Sequence, residues 1–581
     1  EMKTFISDAE DYRGDPADRS ITGGWTSAAL ILSIEICERL STMGMAVNLV
    51  TYLVGTMHLP SAVSSNIVTN WAGVSFLLSL LGGVLADSFL GRYWTIAIFA
   101  LTHALGTSIL TISTALPKLR PPPCNPSNLP NKCKEADSLQ MGVLLIALYS
   151  IAFGLGGIKS SVSGLGTDQF DQEDKKEKSQ MAYFFNRFYF LISIGTLLAV
   201  TVFVYIQDRV GRSWGYGISS ALMFASIMAF LSGTKRYRYK KCVGSPIVQV
   251  LQVILAATRK RKLELPSDAH SLYEDSSNES IVHHTDQFCC LDKAAIAVNG
   301  DYGTNNGSTT VNPWRLCSVT KVEEVKMMIR LMPIWATTIM FWTIHAQMIT
   351  FAVQQASTME RLIGKFEIPP ASFNVFFTGS TMITLAVYDR LIMPLWKTSK
   401  GIQGFTSLQK IGIGLFISII AMAVAAVVEG RRLSVARANN IIGTTLPVSA
   451  FLLIPQFVLV GAGEGFMYTG QLDFFITQSP KGMKSISTSL FLTTISLGYF
   501  VSSALVTIIR KVTGGRGRHN WLTANINNGK LDYFYGFIAV LSIINLGLYL
   551  VCAAWYKSNL GQDAQKMEND VVDVSPREDV A

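Results

Sequence analysis

Residues 25–56 read WTSAALILSIEICERLSTMGMAVNLVTYLVGT. A helix needs about 20 apolar residues to cross a bilayer core, and this stretch exceeds that. It contains no proline and shows none of the apolar–polar alternation of a barrel strand, so a transmembrane helix is expected. Yet Glu35, Glu38 and Arg39 stand inside it. Their spacing of i, i+3 and i+4 places all three on one helical face. A charge within a span costs about 2.5–3.5 kcal/mol on insertion scales, and it survives where it faces a bundle interior or an ion path. The stretch therefore belongs to an all-α membrane protein in which this helix packs among others.

Working outward, apolar runs of spanning length follow near 62–86, 93–116, 139–165, 182–206 and 214–233. Six more lie near 329–356, 369–396, 407–429, 446–476, 485–511 and 531–556. Twelve transmembrane helices arranged as two six-helix bundles are expected. The division is a polar tail over 1–24, a first bundle over 25–233, a linker over 234–328, a second bundle over 329–556 and a tail over 557–581. Composition agrees: 49% of the 581 residues are hydrophobic and 15% are charged, with mean hydropathy +0.33. Soluble domains carry about 25% charged residues. A disordered chain, a fibre and an ordinary soluble enzyme are excluded.

The net charge of +9 fits basic loops beside anionic lipid. No aromatic-basic module accompanies it, so no nucleic-acid partner is expected. The 245–263 stretch, apolar then basic, suits an amphipathic helix on the membrane surface. The Gly/Asn/Ser/Thr-rich segment 299–310 reads as mobile. Lys235–Lys241 reads as a juxtamembrane basic cluster, while 429–437 and 510–518 read as basic loops on the opposite side. The short loops balance Lys and Arg almost evenly, so the cytoplasmic placement of both termini rests on that cluster and on the loop holding Cys124 and Cys133. The polar N-terminal stretch has no signal-peptide pattern, and the first helix is expected to act as a retained anchor. The cysteines show no metal-ligand or redox spacing. Cys124 and Cys133 lie nine apart in a Pro/Asn-rich loop; a disulfide and two free thiols are both open.

Other polar residues lie deep in spans. Two carboxylates crowded at Glu35 and Glu38 cannot both ionise easily in low dielectric, and Arg39 can hold one of them. A proton relay and a structural ion-pair triad are both open. Lys159, within Gly154–Lys159, needs a carboxylate, and Glu35 or Glu38 is the expected partner. His345 lies mid-span and reads either as a packing histidine or as a proton acceptor that attracts an anion. His103 reads as packing. Glu464 sits among Gly461, Gly463 and Gly465, which permit close helix approach. Gly83-x-x-x-Asp87-x-x-x-Gly91-Arg92 forms a turn whose charges can meet helix ends. Arg92-x-x-Thr95 has the form of a kinase site, where a phosphate would add about −2 charge. An ordinary threonine is the alternative reading. No G-x-S-x-G, H-E-x-x-H or phosphate loop occurs in a suitable context, so no enzyme is expected.

Twelve spans split six plus six, with the Gly83–Arg92 motif, resemble the major facilitator superfamily. The Glu35–Arg39 pattern resembles the signature of its proton-coupled oligopeptide transporters. Phe188–Leu197 resembles that group's second signature, with Ser193 and Thr196 departing from it. The chain as a whole is similar to the plant nitrate/peptide transporter family, most closely to members that carry nitrate in two affinity modes. The resemblance implies proton-coupled nitrate symport into the cell by alternating access, without a cofactor, with both termini cytoplasmic in the plasma membrane. It implies nitrate binding at His345 and proton coupling through Glu35, Glu38, Arg39, Lys159 and Glu464. It further implies a kinase acting at Thr95, contact with lipid and a homodimer. The family's pocket threonine four residues after the histidine is Ile349 here. Chloride, a dipeptide or a weak-acid hormone is the alternative cargo, and signalling through the linker or tails is a second class of function.

Overall fold

A computed structural model describes the chain except residues 1–4, 124–132, 172–173, 175–176, 178–179, 181–189, 241–245, 267–270, 275–283, 286, 299–300, 306–307, 393, 396–404, 439–444, 480–483, 515–519 and 574–581. Among the described residues, ten segments are long and apolar enough to cross a membrane. One of them, Ser61–Ala115, holds two helices. The charged first helix lies outside that set, and including it gives twelve.

The helices are α1 (Gly24–Gly55), α2 (Ser61–Leu85), α3 (Gly91–Ala115), α4 (Ser138–Asp168), α5 (Phe190–Val210) and α6 (Arg212–Ser232). After a short linker helix α7 (Pro246–Arg259) come α8 (Val319–Ile349), its continuation α9 (Phe351–Ser357), α10 (Asn374–Val387), α11 (Ser407–Ala438), α12 (Ile454–Thr477), α13 (Lys484–Thr513) and α14 (Leu531–Asp573). Large apolar side chains such as Leu105, Ile146, Met228, Val427 and Val551 are exposed. In a bilayer these are the lipid-facing surface, where helices satisfy their own backbone.

The chain groups into two compact units. Unit 1 comprises 1–243, 339–470 and 492–544; unit 2 comprises 244–338, 471–491 and 545–581. Unit 1 contains two apolar cores. One gathers Ile31, Phe99, Ile158, Met223 and Phe230 from the first six helices. The other gathers Phe373, Met422, Phe457, Val506 and Tyr535 from the later ones. Close approach needs small residues: a Cβ on Gly82 would lie 2.7 Å from Gly157 Cα, so α2 and α4 touch backbone to backbone. At the start of α4, Asp137 and Gln140 form a reciprocal capping box.

Two expectations meet a different outcome. Residues 429–437 are not a loop. Helix α11 continues to Ala438 because Glu429 and Arg432 pair at 2.7 Å with both side chains fully buried. Gln355, Thr358 and Asn527 supply further bonds to the pair. The basic cluster 235–241 is not uniformly surface-facing. Arg238 is 1% exposed and donates to Glu177 at 2.7 Å, to Gln169 O at 3.0 Å and to Thr22 O at 2.9 Å. Within unit 2, the 299–310 segment takes part in an antiparallel hairpin, β1 (Tyr302–Asn305) with β2 (Ser308–Val311). The sequence pair Asn306-Gly307 suits a two-residue connection of that kind.

Unit 2 also holds α7 and a buried ionic cluster. Lys326, fully buried, pairs with Asp292 at 2.6 Å and with Glu323 at 2.7 Å. His284 lies 3.2 Å from Asp292. His284, Asp292 and Glu323 could together offer ligand atoms to a metal, but the lysine ammonium already bonds both carboxylates.

The end of unit 1 where α1 passes into α2 is sealed by bonds joining its two halves. Ser61 N donates to Ala524 O at 3.2 Å, and Gln354 Nε2 donates to Ser61 O at 3.4 Å. Asn66 Nδ2 donates to Thr507 Oγ1 at 2.9 Å. Arg209 meets Glu367 at 2.7 Å, with Arg361 at 2.8 Å from the same carboxylate. The Arg209 hydrogen bond holds the Glu367 carboxyl below its ordinary value. A depressed carboxylate contributes above its free value and loses that contribution as pH falls through the depressed one. Backbone hydrogen exchange around 360–368, corrected for intrinsic rates, should therefore be flat from pH 8 to pH 5. It should rise only below the usual carboxylate range of about 4. A rise already at pH 6 would show that Glu367 does not hold this end.

Candidate functional site

Six polar residues flagged by their depth in spans lie in unit 1, and the geometry links two of them, Lys159 and His345, through side chains that carry no formal charge. On α1, Glu35 is 3% exposed and Glu38 fully buried. Arg39 approaches Glu35 at 3.4 Å, one helical turn away. Both oxygens of Glu38 are buried and without a hydrogen bond. Burying a polar group without a partner costs energy, and an anion more so. Glu38 thus has no hydrogen bond among the described residues, while Glu35 receives one from the guanidinium.

Lys159 on α4 does not pair with either carboxylate within ion-pair distance. Its ammonium lies over the Phe76 ring, 4.5 Å from the centroid. A cation over an aromatic face is stabilised by the ring quadrupole, so the aromatic takes part of the role expected of an acid. Phe76 in turn stacks on Tyr499 with planes 9° apart and centroids at 6.2 Å. The Tyr499 hydroxyl is 2.9 Å from His345 Nδ1. Thus a cation on α4, a ring on α2, a tyrosine on α13 and the histidine on α8 form a continuous chain across the halves of unit 1.

His345 is held on three sides. Trp342, Phe377 and Tyr499 meet it edge-on at 5.6, 5.2 and 5.9 Å. The Tyr499 bond fixes Nδ1, and Nε2 remains without a hydrogen bond among the described residues. With the tyrosine donating, neutral His345 carries its proton on Nε2; when the ring is charged, both nitrogens donate and the tyrosine accepts. In both of these states Nε2 offers N–H to an anion; in the third, with Nδ1–H donating to the tyrosine, Nε2 is an acceptor instead. The α8 backbone here is pressed against α13: a Cβ on Gly498 would fall 2.3 Å from Trp342 Cβ.

Glu464 on α12 receives a bond from Thr381 Oγ1 at 3.4 Å, and the same hydroxyl lies 3.0 Å from Gly461 O. Gly461 is required by close approach, since its Cβ would meet Phe377 O at 2.3 Å. His103, read as packing, lies 3.3 Å from Thr42 Oγ1 and keeps Nδ1 buried without a bond. Ile349, 7% exposed, is packed in the core rather than offering a polar group. Thr95 is fully buried and donates to Gly91 O at 2.9 Å. Its neighbour Tyr93 stacks on Phe230 at 5.1 Å, so a kinase would reach Thr95 only after this helix start had opened. Arg92 of the same turn pairs with Asp168 at 2.6 Å and Asp87 at 3.9 Å. Cys133 is disulfide-bonded, while Cys124 lies outside the described residues.

The residues missed from sequence are Phe76, Phe377, Thr381 and Tyr499. None carries charge, so none stands out in an apolar span.

Twelve apolar helices, with a group of buried titratable residues within unit 1, are the features of a multi-pass membrane transporter. The POT family profile, PTR2, matches residues 93–522. The chain is 61% identical over 565 residues to Protein NRT1/PTR FAMILY 6.2 of Arabidopsis thaliana, covering 97% of each. It is 53% identical to Protein NRT1/PTR FAMILY 6.3 of the same plant, over 95% of this chain and 94% of that one. The solved POT family transporter PepTSo shares the fold, with TM-score 0.67 at 21% identity over 92% of this chain and 99% of its own. The protein belongs to the POT family, within its NRT1/PTR relatives, and is a proton-coupled transporter.

Proposed function

We propose that the protein is a proton–nitrate symporter of the plasma membrane, with both termini cytoplasmic, working by alternating access. The observation that carries this reading is His345: an aromatic cage, Nδ1 fixed by Tyr499 and Nε2 left to donate. Such a pocket suits a small planar anion. Glu35 and Glu38 carry protons between the two sides, while Arg39 stays charged and, with Lys159 and Glu464, sets the field around them. Thr95 is the regulatory phosphorylation site in this reading.

The energetics favour two protons per nitrate. Each charge moved against 100 mV costs about 2.3 kcal/mol, so one proton only cancels the anion. A second lets an inside-negative voltage drive uptake, and each pH unit adds about 1.4 kcal/mol per proton. Glu38 and His345 are separate groups that can each hold one.

Proteoliposome uptake of labelled nitrate at pH 5.5 and 7.5, with chloride and a dipeptide as competitors, tests the cargo. Nitrate uptake should be faster at the acidic pH, carry inward current and resist both competitors; equal competition by a dipeptide would reverse the assignment. Tyr499→Phe should keep the ring packing and lose the hydroxyl. Its half-saturating nitrate concentration should rise by roughly 2- to 12-fold, the worth of one neutral hydrogen bond. An unchanged value would mean that Tyr499 does not orient the histidine.

A further inference from the structure

A second basic site lies away from the central chain, at the sealed end of unit 1. A cavity of about 400 Å³ is lined by Asn66 at the start of α2, by Thr507, Arg510 and Lys511 in the last turns of α13, and by Gly514 and Asn520 beyond it. Among the described residues its wall contains a guanidinium, an ammonium, two amides and a hydroxyl, and no carboxylate. Neither Arg510 nor Lys511 forms an ion pair with a described residue, and residues 501–531 contain no Asp or Glu at all. The polar groups are also not closed on one another. Thr507 Oγ1 accepts from Asn66 at 2.9 Å and donates to Ser503 O at 2.9 Å, which leaves Asn66 Oδ1 buried without a donor. A cleft lined by one sign of charge concentrates the opposite ion. Here the cleft straddles the two halves at the end through which cargo must enter.

We infer that this cavity is an outer binding site for a small inorganic oxyanion, which collects the cargo ahead of His345. Arg510 and Lys511 attract the anion. Asn520 offers an amide to it, and its hydration water supplies the donor that Asn66 Oδ1 lacks. The inference rests on the proposed nitrate cargo for its physiological ligand, but the site itself is defined by chemistry that any small oxyanion would meet. An anionic lipid headgroup carries the same chemistry, and Ile508 and Val512, 55% and 66% exposed, place lipid within reach. Two cations and two amides gathered in one cleft suit the soluble ion.

The full-length protein in nanodiscs of neutral phosphatidylcholine separates these cases. Nitrate, or sulfate as a non-cargo probe, is titrated by calorimetry against gluconate controls at about 10 mM ionic strength, where the Debye length is near 30 Å. Arg510→Gln with Lys511→Gln keeps helix-forming residues and removes both charges. The double variant should weaken anion binding at least 5-fold, and Arg510→Lys with Lys511→Arg should restore it. At about 150 mM the loss should shrink, because screening then acts within about 8 Å. In a His345→Ala background the Arg510/Lys511-dependent binding should persist, so failure of the central assignment and failure of this one give different results. Identical titrations for the double variant and the parent overturn the site. Binding that appears only with phosphatidylglycerol in the disc, and not with soluble anions, reassigns it to a headgroup and also overturns the proposal.

Discussion

His345→Ala is expected to raise the half-saturating nitrate concentration by roughly 10- to 100-fold. The lost bond is one between a charged or polarised N–H and an anion, worth about 1.5–3 kcal/mol, and each 1.4 kcal/mol is tenfold. The substitution also leaves the Tyr499 hydroxyl without its 2.9 Å partner inside the aromatic cage. Desolvation of that hydroxyl adds to the loss. His345→Gln offers an amide N–H in the same region and should recover part of the affinity while losing the proton. Its nitrate uptake should then depend less on pH than that of the parent. Measured uptake across pH 5.5–7.5 for the three proteins decides the matter. Full uptake by the alanine variant would remove His345 from the site.

The second large effect is expected at α1. Glu38→Gln replaces a buried carboxylate that has no hydrogen bond with a neutral amide of the same shape. The helix should tolerate it, and protein yield should be near that of the parent. Proton-driven accumulation should fall at least tenfold, while exchange of nitrate down its own gradient persists. Glu35→Gln differs in kind, because it strips Arg39 of its 3.4 Å partner and leaves a largely buried guanidinium, 14% exposed. Removing one partner of a buried pair costs about 3–5 kcal/mol, so reduced stability is expected alongside lost coupling. If both variants kept the parent's pH dependence and accumulation, the coupling role would pass elsewhere. Glu464, which accepts from Thr381, is the next position to test.

Much of the architecture was legible in the chain, because a bilayer makes hydropathy decisive. Helices α1 and α4 begin and end within a few residues of the apolar runs that mark them. The reading failed where burial is obtained through pairing. Glu429 and Arg432 look like a loop because each is charged; together, with Gln355 and Asn527, they continue a helix. The same reasoning explains the site. Charge out of place identified Glu35, Glu38, Arg39, Lys159, His345 and Glu464 one at a time. It did not reveal that Lys159 would face a ring, nor that Phe76 and Tyr499 would connect it to the histidine. Aromatic residues in an apolar span are unremarkable in sequence, and only packing gives them a role.

The bonds that close the α1–α2 end also set a resting bias. Ser61 to Ala524, Gln354 to Ser61, Asn66 to Thr507 and Arg209 to Glu367 must all part before that end can open. At about 0.5–1.5 kcal/mol net for each, they amount to roughly 2–6 kcal/mol. Unless the opened form makes bonds of equal worth, an empty carrier waits with that door shut for all but a small fraction of the time. Turnover at low cargo would then be governed by how often the door opens by itself, so loosening Arg209–Glu367 should quicken the first encounter while making the carrier easier to leak through.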